Sequence, residues 1–329
     1  MSQPTIAIIG LGLIGGSIGL ALRKAEPSFE IVGHDKDISV SKKAHKLGAI
    51  EKEERNLISA IEDAELVIIA TPAMAIREIL EVTATYLKPD CVITDTATIK
   101  GEVLRWADEL LPETVHFVGG DPMVSKDETG IDAATPDLFI GCTYCVVPST
   151  NAHPAAIEFV TSMVQTLGAE PFFLDAAEHD GQVAGIEHLP LMLATALLMT
   201  TTQTSAWRDM SRLPSRTFWR STHLASTDPT TYRDILLANK ENISRWIDLY
   251  VDSLEDLQDK LVVADAEMWE DLFTELIDTR SRWLEGRVVE REEVGREAMQ
   301  EMGGLRNISR LFLPEFRRLR ERPEERERK

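Results

Sequence analysis

Short apolar runs alternate with amphipathic stretches along the first half of the chain. Residues 5–9 form a β-branched apolar run that ends in glycines, and residues 14–24 follow with small and apolar residues at helical spacing. Similar apolar runs recur between helix-like segments, at residues 31–32, 66–70, 91–94, 115–118, 142–147 and 172–174. Strands that alternate with helices predict an α/β fold, in which helices cover both faces of a doubly wound parallel sheet.

The pattern changes beyond residue 175. Long helical periodicity dominates there, as in residues 243–261 and 268–284, and no convincing strand follows. We therefore predict an α/β domain over residues 1–175 and an all-helical domain over residues 176–329. Residues 315–329 alternate arginine with glutamate, which is typical of a solvated, charged tail.

A glycine-rich turn joins the first predicted strand to the first predicted helix. It has the pattern G-x-G-x-x-G over Gly10-Leu11-Gly12-Leu13-Ile14-Gly15. In a Rossmann domain the first glycine permits the tight turn, the second lets a pyrophosphate approach, and the third lets helix and strand pack closely. Asp35 follows Gly15 by 20 residues, at the end of the second strand, where a carboxylate can bind ribose hydroxyls. This register favours dinucleotide binding over a glycine turn without a ligand.

The acid also bears on the choice of cofactor. Asp35 would repel a 2′-phosphate, so we expect NAD. Lys36, Lys42 and Lys43 lie close enough in sequence to keep NADP possible, but we favour a solvated helix face as the explanation of these lysines.

Charge narrows the class of partner. The chain has 329 residues with 35 basic and 55 acidic side chains, a formal net charge of −20. Such a surface repels phosphate backbones and anionic headgroups, so we expect a small-molecule substrate and neither nucleic-acid nor membrane partners. The longest apolar run, residues 189–199, is eleven residues long and contains Pro190. It is shorter than the roughly 20 residues that cross a bilayer.

Two further features favour the cytoplasm. The first basic residue is Arg23 and glycines break the first apolar stretch, so the start of the chain lacks the layout of a secretory signal. The three cysteines, Cys91, Cys142 and Cys145, lie in apolar or strand-like contexts and are predicted to be buried thiols. No metal site is expected.

Five downstream segments, together with the glycine loop, carry a family resemblance. They are Ala70-Thr71-Pro72 and residues 94–101 (TDTATIKG), 119–123 (GGDPM), 187–190 (EHLP) and 222–229 (THLASTDP). In their order and spacing, over residues 5 to about 245, they resemble the prephenate dehydrogenase family, which includes arogenate and cyclohexadienyl dehydrogenases. The resemblance implies a Rossmann domain followed by an all-helical dimerisation domain, and hence a homodimer. It also implies that Leu13, Ile14, Thr71 and Pro72 contact the cofactor together with Gly10, Gly12, Gly15 and Asp35.

The family's reaction, part of tyrosine biosynthesis, is the oxidation of a ring hydroxyl of prephenate or arogenate by NAD(P), with loss of the ring carboxylate. The family pattern implies catalytic roles for Asp121, Thr98 and His188. Asp121 occupies the position of the family's usual histidine, Thr98 that of a serine, and His188 is a retained histidine. An aspartate there introduces a carboxylate of reference pKa about 3.9 in place of an imidazole near 6.5. It could act as a base if burial raised its pKa, or bind a cationic or hydroxyl-rich group.

Further departures concern the substrate side. Leu191 replaces a second family histidine, and His223 replaces the arginine that typically binds a substrate carboxylate. Arg212, Arg216 and Arg220 share one face if their segment is helical, and one of them, with Arg220 the candidate nearest to His223, could supply the missing charge. A solvated stripe is the alternative. Asp127 is expected to close the pocket.

These substitutions leave two alternatives to the family reaction. One is an NAD-dependent dehydrogenase of a different hydroxylated or amino-bearing substrate, with Asp121 as base or ion-pair partner. The other is a non-catalytic NAD-binding sensor that acts through its helical domain.

Overall fold

The computed structural model describes residues 4–304, apart from 26–27, 125, 127, 214 and 227–228, with the backbone alone at 225–226 and 287–304. The expected gate, Asp127, and the charged tail at 315–329 lie outside the described residues.

Eight strands form one sheet in the order β3-β2-β1-β4-β5-β6-β7-β8. They are β1 (Thr5–Ile9), β2 (Glu30–His34), β3 (Lys52–Glu53), β4 (Leu66–Ile69), β5 (Val92–Asp95), β6 (His116–Pro122), β7 (Thr143–Pro148) and β8 (Glu170–Phe173). Every neighbouring pair is parallel except β6 and β7, which are antiparallel. The predicted doubly wound sheet is confirmed, with one antiparallel pair that the alternation of strands and helices does not predict.

Helices connect the strands of this first region. They are α1 (Leu13–Ala25), α2 (Ile38–Leu47), α3 (Leu57–Ile61), α4 (Ala73–Thr83), α5 (Gly101–Leu110) and α6 (Pro154–Thr166), with a 3-10 turn at Ile131–Ala133. Local chemistry sets their ends: the Asp37 carboxylate accepts a hydrogen bond from Ser39 N at 2.8 Å and begins α2, and Gly48 ends it at φ 79°. The central strands are buried along their length, as expected for a sheet covered on both faces.

The remaining elements are helical. They are α7 (Ala176–Val183), a π-helical turn (Ala184–His188), α8 (Leu189–Thr202), α9 (Trp207–Met210), α10 (Arg216–Thr222), a 3-10 turn (His223–Ser226), α11 (Pro229–Ala238), α12 (Lys240–Val263) and α13 (Ala266–Gly304). The described residues divide into two compact units: the second spans Ala177–Glu275, and the first comprises the described residues before and after that range. The spacing of four would place Arg212, Arg216 and Arg220 on one face of a single helix. Arg212 instead lies between α9 and α10, so it does not share a helix with the other two arginines. All three arginines are exposed.

The helical run Ala176–Thr202 is longer than the apolar stretch that the sequence suggests. By length and composition alone it could cross a membrane, with a mean hydropathy of 1.5 in its apolar window. The run stays continuous through Pro190 because this proline stands in the first turn of α8, directly after the π-helical turn. Within its own unit the run packs against α12: the Trp246 ring fills the space beside Gly185, and Trp246 Nε1 donates to Gly181 O at 2.8 Å.

Candidate active site

The glycine loop lies where the carboxyl end of β1 meets α1. Gly10 has φ +90°, a left-handed conformation that favours glycine, and a Cβ added to Gly15 would lie 1.9 Å from Gly10 O. Gly12 differs, because a Cβ added there would meet nothing within 4 Å. The loop is therefore closed on the protein side and open at Gly12, next to the N-terminus of α1, which is the geometry of a phosphate cradle.

Asp35 follows β2 and is tied to this loop. Its Oδ2 accepts from Leu11 N at 2.8 Å, and its Oδ1 accepts from Asp37 N at 2.9 Å. An ionised carboxylate has about four acceptor positions, so lone pairs remain for two ribose hydroxyls. Lys43 forms an ion pair with Asp132 at 2.6 Å, which engages one of the three lysines that could have favoured a 2′-phosphate.

Residues after β4 complete the dinucleotide side of the site. A Cβ added to Gly10 would lie 2.9 Å from Thr71 Cγ2, so Thr71 stands against the glycine loop, with Pro72 beside it as the N-cap of α4. Leu13 and Ile14 form the first turn of α1 and are partly exposed. The predicted cofactor residues thus gather at the carboxyl edge of β1, β2 and β4, where ligands bind in open α/β sheets. Their predicted contacts with a bound cofactor stay a prediction.

A fully buried ion pair lies at the carboxyl end of β5. The Asp95 carboxylate and the Lys100 ammonium form a close ion pair, and both side chains are 0% exposed. Lys100 Nζ also donates to Gly120 O at 2.8 Å, while Asp95 Oδ1 accepts from Gly120 N at 3.2 Å. Thr98, which is partly buried, lies in the short loop between the two charged residues.

Asp121 is part of β6, not of a loop after it. It is 2% exposed and lies opposite Cys145 of β7 in the strand register. A Cβ added to Gly119, two residues before it, would lie 3.0 Å from Lys100 Cδ and 3.6 Å from Asp95 Oδ1. Because residues two apart on a strand share a face, the Asp121 side chain projects to the face on which the ion pair lies.

In the second unit, a hydrogen-bond network holds His188. Asn239 Nδ2 donates to Asp180 O at 2.8 Å and contacts His188 Nδ1 at 3.3 Å. Asn239 Oδ1 accepts from Asn242 Nδ2 at 2.8 Å, which fixes the orientation of the Asn239 amide. An amide nitrogen only donates, so His188 Nδ1 is the acceptor and the imidazole proton is assigned to Nε2.

His188 Nε2 therefore carries a buried N–H. Among the described residues it has no hydrogen-bond partner, and the side chain is 2% exposed. Burial lowers the pKa of His188 to about 4, an effect that nearby Asp180 opposes and His179 reinforces. The residue is consequently a neutral hydrogen-bond donor at ordinary pH, suited to an acceptor on a ligand rather than to proton transfer.

The other predicted substrate residues have different surroundings. Leu191 is buried on α8, one helical turn after His188. His223 is exposed and begins the 3-10 turn, with its ring centroid 5.4 Å from that of Trp219. Arg220 is exposed on α10. The structure brings α8, α10 and the 3-10 turn together within one unit. The roles of these residues in substrate binding stay predictions.

Three contacts that hold predicted site residues, in one unit or the other, have no signature in the sequence. Asn239 orients His188 from 51 residues away, and no local pattern signals that contact. The side chains of Asp95 and Lys100 hold the Gly120 peptide. Both residues belong to the family motif at residues 94–101, but the motif does not indicate what they contact. His179 and Asp180, both buried on α7, form a contact at 2.9 Å close to His188.

Comparison with known proteins gives matches along most of the chain. Residues 18–172 match the family model of the prephenate dehydrogenase nucleotide-binding domain, and residues 175–277 match that of the prephenate dehydrogenase dimerization domain. Prephenate dehydrogenase of Bacillus subtilis (strain 168) is 33% identical over 267 residues, which cover 80% of this chain and 72% of the relative. Prephenate dehydrogenase of Lactococcus lactis subsp. cremoris (strain MG1363) is 31% identical over 273 residues, which cover 82% and 75%.

A solved structure extends the similarity to three dimensions. Prephenate dehydrogenase from A. aeolicus, crystallised in complex with hydroxyphenyl propionate and NAD+, is 27% identical with a TM-score of 0.77. The match covers 87% of this chain and 99% of that chain.

The buried state of His188 predicts a specific loss of stability in acid. Its pKa is about 4 in the folded protein against an ordinary 6.5, so the unfolded state takes up a proton first as the pH falls. His188→Gln, which stays neutral, should escape a loss on the order of 2–3 kcal/mol between about pH 6.5 and pH 4. Urea unfolding at several pH values measures the difference, with His45→Gln on the exposed face of α2 as the control for loss of a histidine. Parallel pH profiles for the His188 variant and the unaltered protein would show that the imidazole is not held neutral by burial.

Proposed function

The chain belongs to the prephenate dehydrogenase family, and from this premise we propose that it oxidises prephenate or arogenate, with NAD as the cofactor. The observation that best supports the proposal is the buried carboxylate of Asp121 at the carboxyl edge of β6, on the edge of the sheet that also presents the glycine loop. An acid removed from water at that place is a candidate base for a ring hydroxyl.

The reaction requires little from the protein beyond placement and one proton transfer. Bound NAD supplies the hydride acceptor. The Asp121 carboxylate takes the proton of the ring hydroxyl as hydride leaves its carbon, which becomes a carbonyl. The bond to the ring carboxylate then breaks, carbon dioxide departs, and the electron pair passes through the ring to the carbonyl oxygen, which takes the proton back from Asp121. The product is aromatic, so the second step is driven by the substrate itself.

The remaining site residues bind and orient. His188 donates its Nε2 proton to an acceptor on the substrate, and Thr98 offers a hydroxyl beside the ion pair. Arg220 and His223 supply charge and hydrogen bonds to a carboxylate, with Leu191 as an apolar contact. The open side of Gly12 receives the pyrophosphate and Asp35 the adenosine ribose, so NAD is preferred over NADP.

The proposed functions are assigned to the two predicted domains. We assign NAD binding to residues 1–175, and substrate binding and dimerisation to residues 176–329. The family model over residues 175–277 describes a dimerization domain, and this supports a homodimer. The acidic net charge of −20 and a small-molecule substrate suit a cytoplasmic enzyme without nucleic-acid or membrane partners.

Cofactor binding is tested at two glycines. Gly12→Ala should weaken NAD binding by about tenfold or more, because its methyl group would occupy the space left for the pyrophosphate. The Tm of this variant should stay nearly the same, because a Cβ there meets no protein atom within 4 Å. Gly15→Ala is the matched control, since its methyl would clash with Gly10 O and so should lower the Tm. Titration of NAD and NADP by tryptophan fluorescence, with thermal melting, measures both effects. Unchanged NAD affinity in Gly12→Ala, or NADP binding at least as tight as NAD, would refute the assignment.

Dimerisation is tested by light scattering. The unaltered protein should have the mass of two chains at micromolar concentration, because large apolar side chains such as Leu254, Leu257 and Leu261 on α12 are exposed in the single chain. Leu257→Glu should shift the mass toward one chain, whereas Asp252→Asn, an exposed change on the same helix, should not. A monomeric unaltered protein would exclude the dimer.

The base is tested by two substitutions of Asp121. Asp121→Asn should lower kcat with prephenate and with arogenate by roughly 10²–10⁴-fold, because the amide cannot accept the hydroxyl proton, while NAD affinity stays the same. Asp121→His should keep activity and move the acid limb of kcat/KM upward by on the order of 2 pH units, since an imidazole replaces a carboxylate. Absorbance at 340 nm follows NADH.

The controls for this test separate the proposed reaction from its alternatives. Asp108→Asn, at an exposed aspartate on α5, should leave both rates unchanged. Tight NAD binding without turnover of either substrate by the unaltered protein would point to a sensor or to another substrate. Full activity in Asp121→Asn would instead remove Asp121 from the mechanism.

A further inference from the structure

β6 runs further than its neighbour β5. The last residue pair of the two strands is Thr94 with Val118, whereas β6 continues through Gly120 and Asp121 to Pro122. The N–H and C=O of Gly120 point to the side where β5 has already ended. Asp95 Oδ1 and Lys100 Nζ take the place of the missing strand, since the first accepts from Gly120 N and the second donates to Gly120 O. The ion pair thus completes the hydrogen bonds of the peptide directly before Asp121.

The same ion pair shares a face with the Asp121 side chain. Gly119 and Asp121 lie on the same face of β6, because they are two residues apart on the strand. The aliphatic part of the Lys100 side chain occupies the space that a Gly119 side chain would need. Asp95 and Lys100 are 0% exposed and Asp121 is 2% exposed, so two acids and one base share a region removed from bulk solvent. Within the described part of the chain, Lys100 is the one buried lysine or arginine.

The two titratable residues of β7 next to Asp121 carry no positive charge. Cys145 lies opposite Asp121 on β7 and shares its face, whereas the ring of Tyr144, the neighbouring residue of that strand, lies on the other face beside Gly120. Burial, reinforced by Asp95 and Asp121, raises the pKa of Tyr144 well above its ordinary value, so the phenol stays neutral. The Lys100 ammonium, which pairs with Asp95, is the positive charge that these described residues place on the face of Asp121.

We propose that Lys100 is a positioning residue of the reaction. Its ammonium holds the Gly120 peptide so that Asp121 is aimed at the substrate hydroxyl, and its charge keeps the Asp121 carboxylate ionised. Asp95 supports this arrangement, because its carboxylate pairs with Lys100 and accepts the hydrogen bond from Gly120 N. The proposal rests on the proposed function, in which Asp121 is the base.

Two substitutions with opposite charge effects test it in the full-length protein. Lys100→Met removes the positive charge, so a carboxylate base should take up its proton more readily and the acid limb of kcat/KM should rise by about one pH unit. Asp95→Asn removes a negative charge and keeps an acceptor for Gly120 N, so the limb should move to lower pH. A purely structural role would scale the rate at every pH and leave the limb in place in both variants, and that result would overturn the proposal. Lys88→Met, before the other end of β5, is the matched control and should leave the limb where it is.

A stability cycle gives a readout that does not need turnover. Lys100→Met should lower the Tm less in the Asp121→Asn background than in the unaltered protein, because the two charged groups are coupled. An equal loss of Tm in both backgrounds would overturn the coupling of Lys100 to Asp121. If the unaltered protein oxidises neither substrate, the proposed function fails, while the cycle still decides whether Lys100 supports Asp121.

A second cycle covers the case in which Lys100→Met does not fold. In the unaltered protein, Asp95→Asn removes the repulsion between the buried carboxylates of Asp95 and Asp121. In the Asp121→Asn background that repulsion is already gone, so Asp95→Asn brings no such gain. Asp95→Asn should therefore lower the Tm more in the Asp121→Asn background. An equal change of Tm in both backgrounds would show that the charges of the ion pair do not act on Asp121, and it would overturn the proposal.

Discussion

A buried charge must be paired, and a strand that outruns its neighbour must find other hydrogen-bond partners. Asp95 and Lys100 meet both requirements at once, because their ion pair is completed by the two backbone polar groups of Gly120. Gly120 itself has no room for a side chain, since a Cβ there would lie 2.7 Å from Asp95 O and 2.9 Å from the Tyr144 ring. The position of Asp121 on β6, and with it the base that we propose, depends on this constraint.

The parts of the fold that can be predicted from the sequence are those with a local cause. The glycine loop and Asp35 lie within one βαβ unit, and their contacts follow from the spacing of the motif. The length of β6 could not be predicted in this way, because Gly119-Gly120-Asp121-Pro122 has the composition of a loop. These residues form a strand because they pair with the antiparallel β7 on one side and contact Asp95 and Lys100 on the other. Tertiary partners override local propensity there.

The same distinction applies to the second unit. Its helices follow from periodicity, but the state of His188 depends on Asn239 and on the π-helical turn, neither of which has a signature in the neighbouring sequence. The family resemblance gives the position of His188 and not its protonation. The network adds that the imidazole is neutral and presents an N–H, and for this reason the proposed reaction gives the proton transfer to Asp121 and a binding role to His188.

We propose that an aspartate held on β6 receives the proton of the substrate hydroxyl. A crystal structure of the protein with NAD and hydroxyphenyl propionate tests it most directly. We expect the phenolic oxygen within about 2.6–3.2 Å of an Asp121 carboxylate oxygen, with Lys100 Nζ still bound to Gly120 O. A phenolic oxygen bound by another side chain, with Asp121 turned away from the ligand, would contradict it.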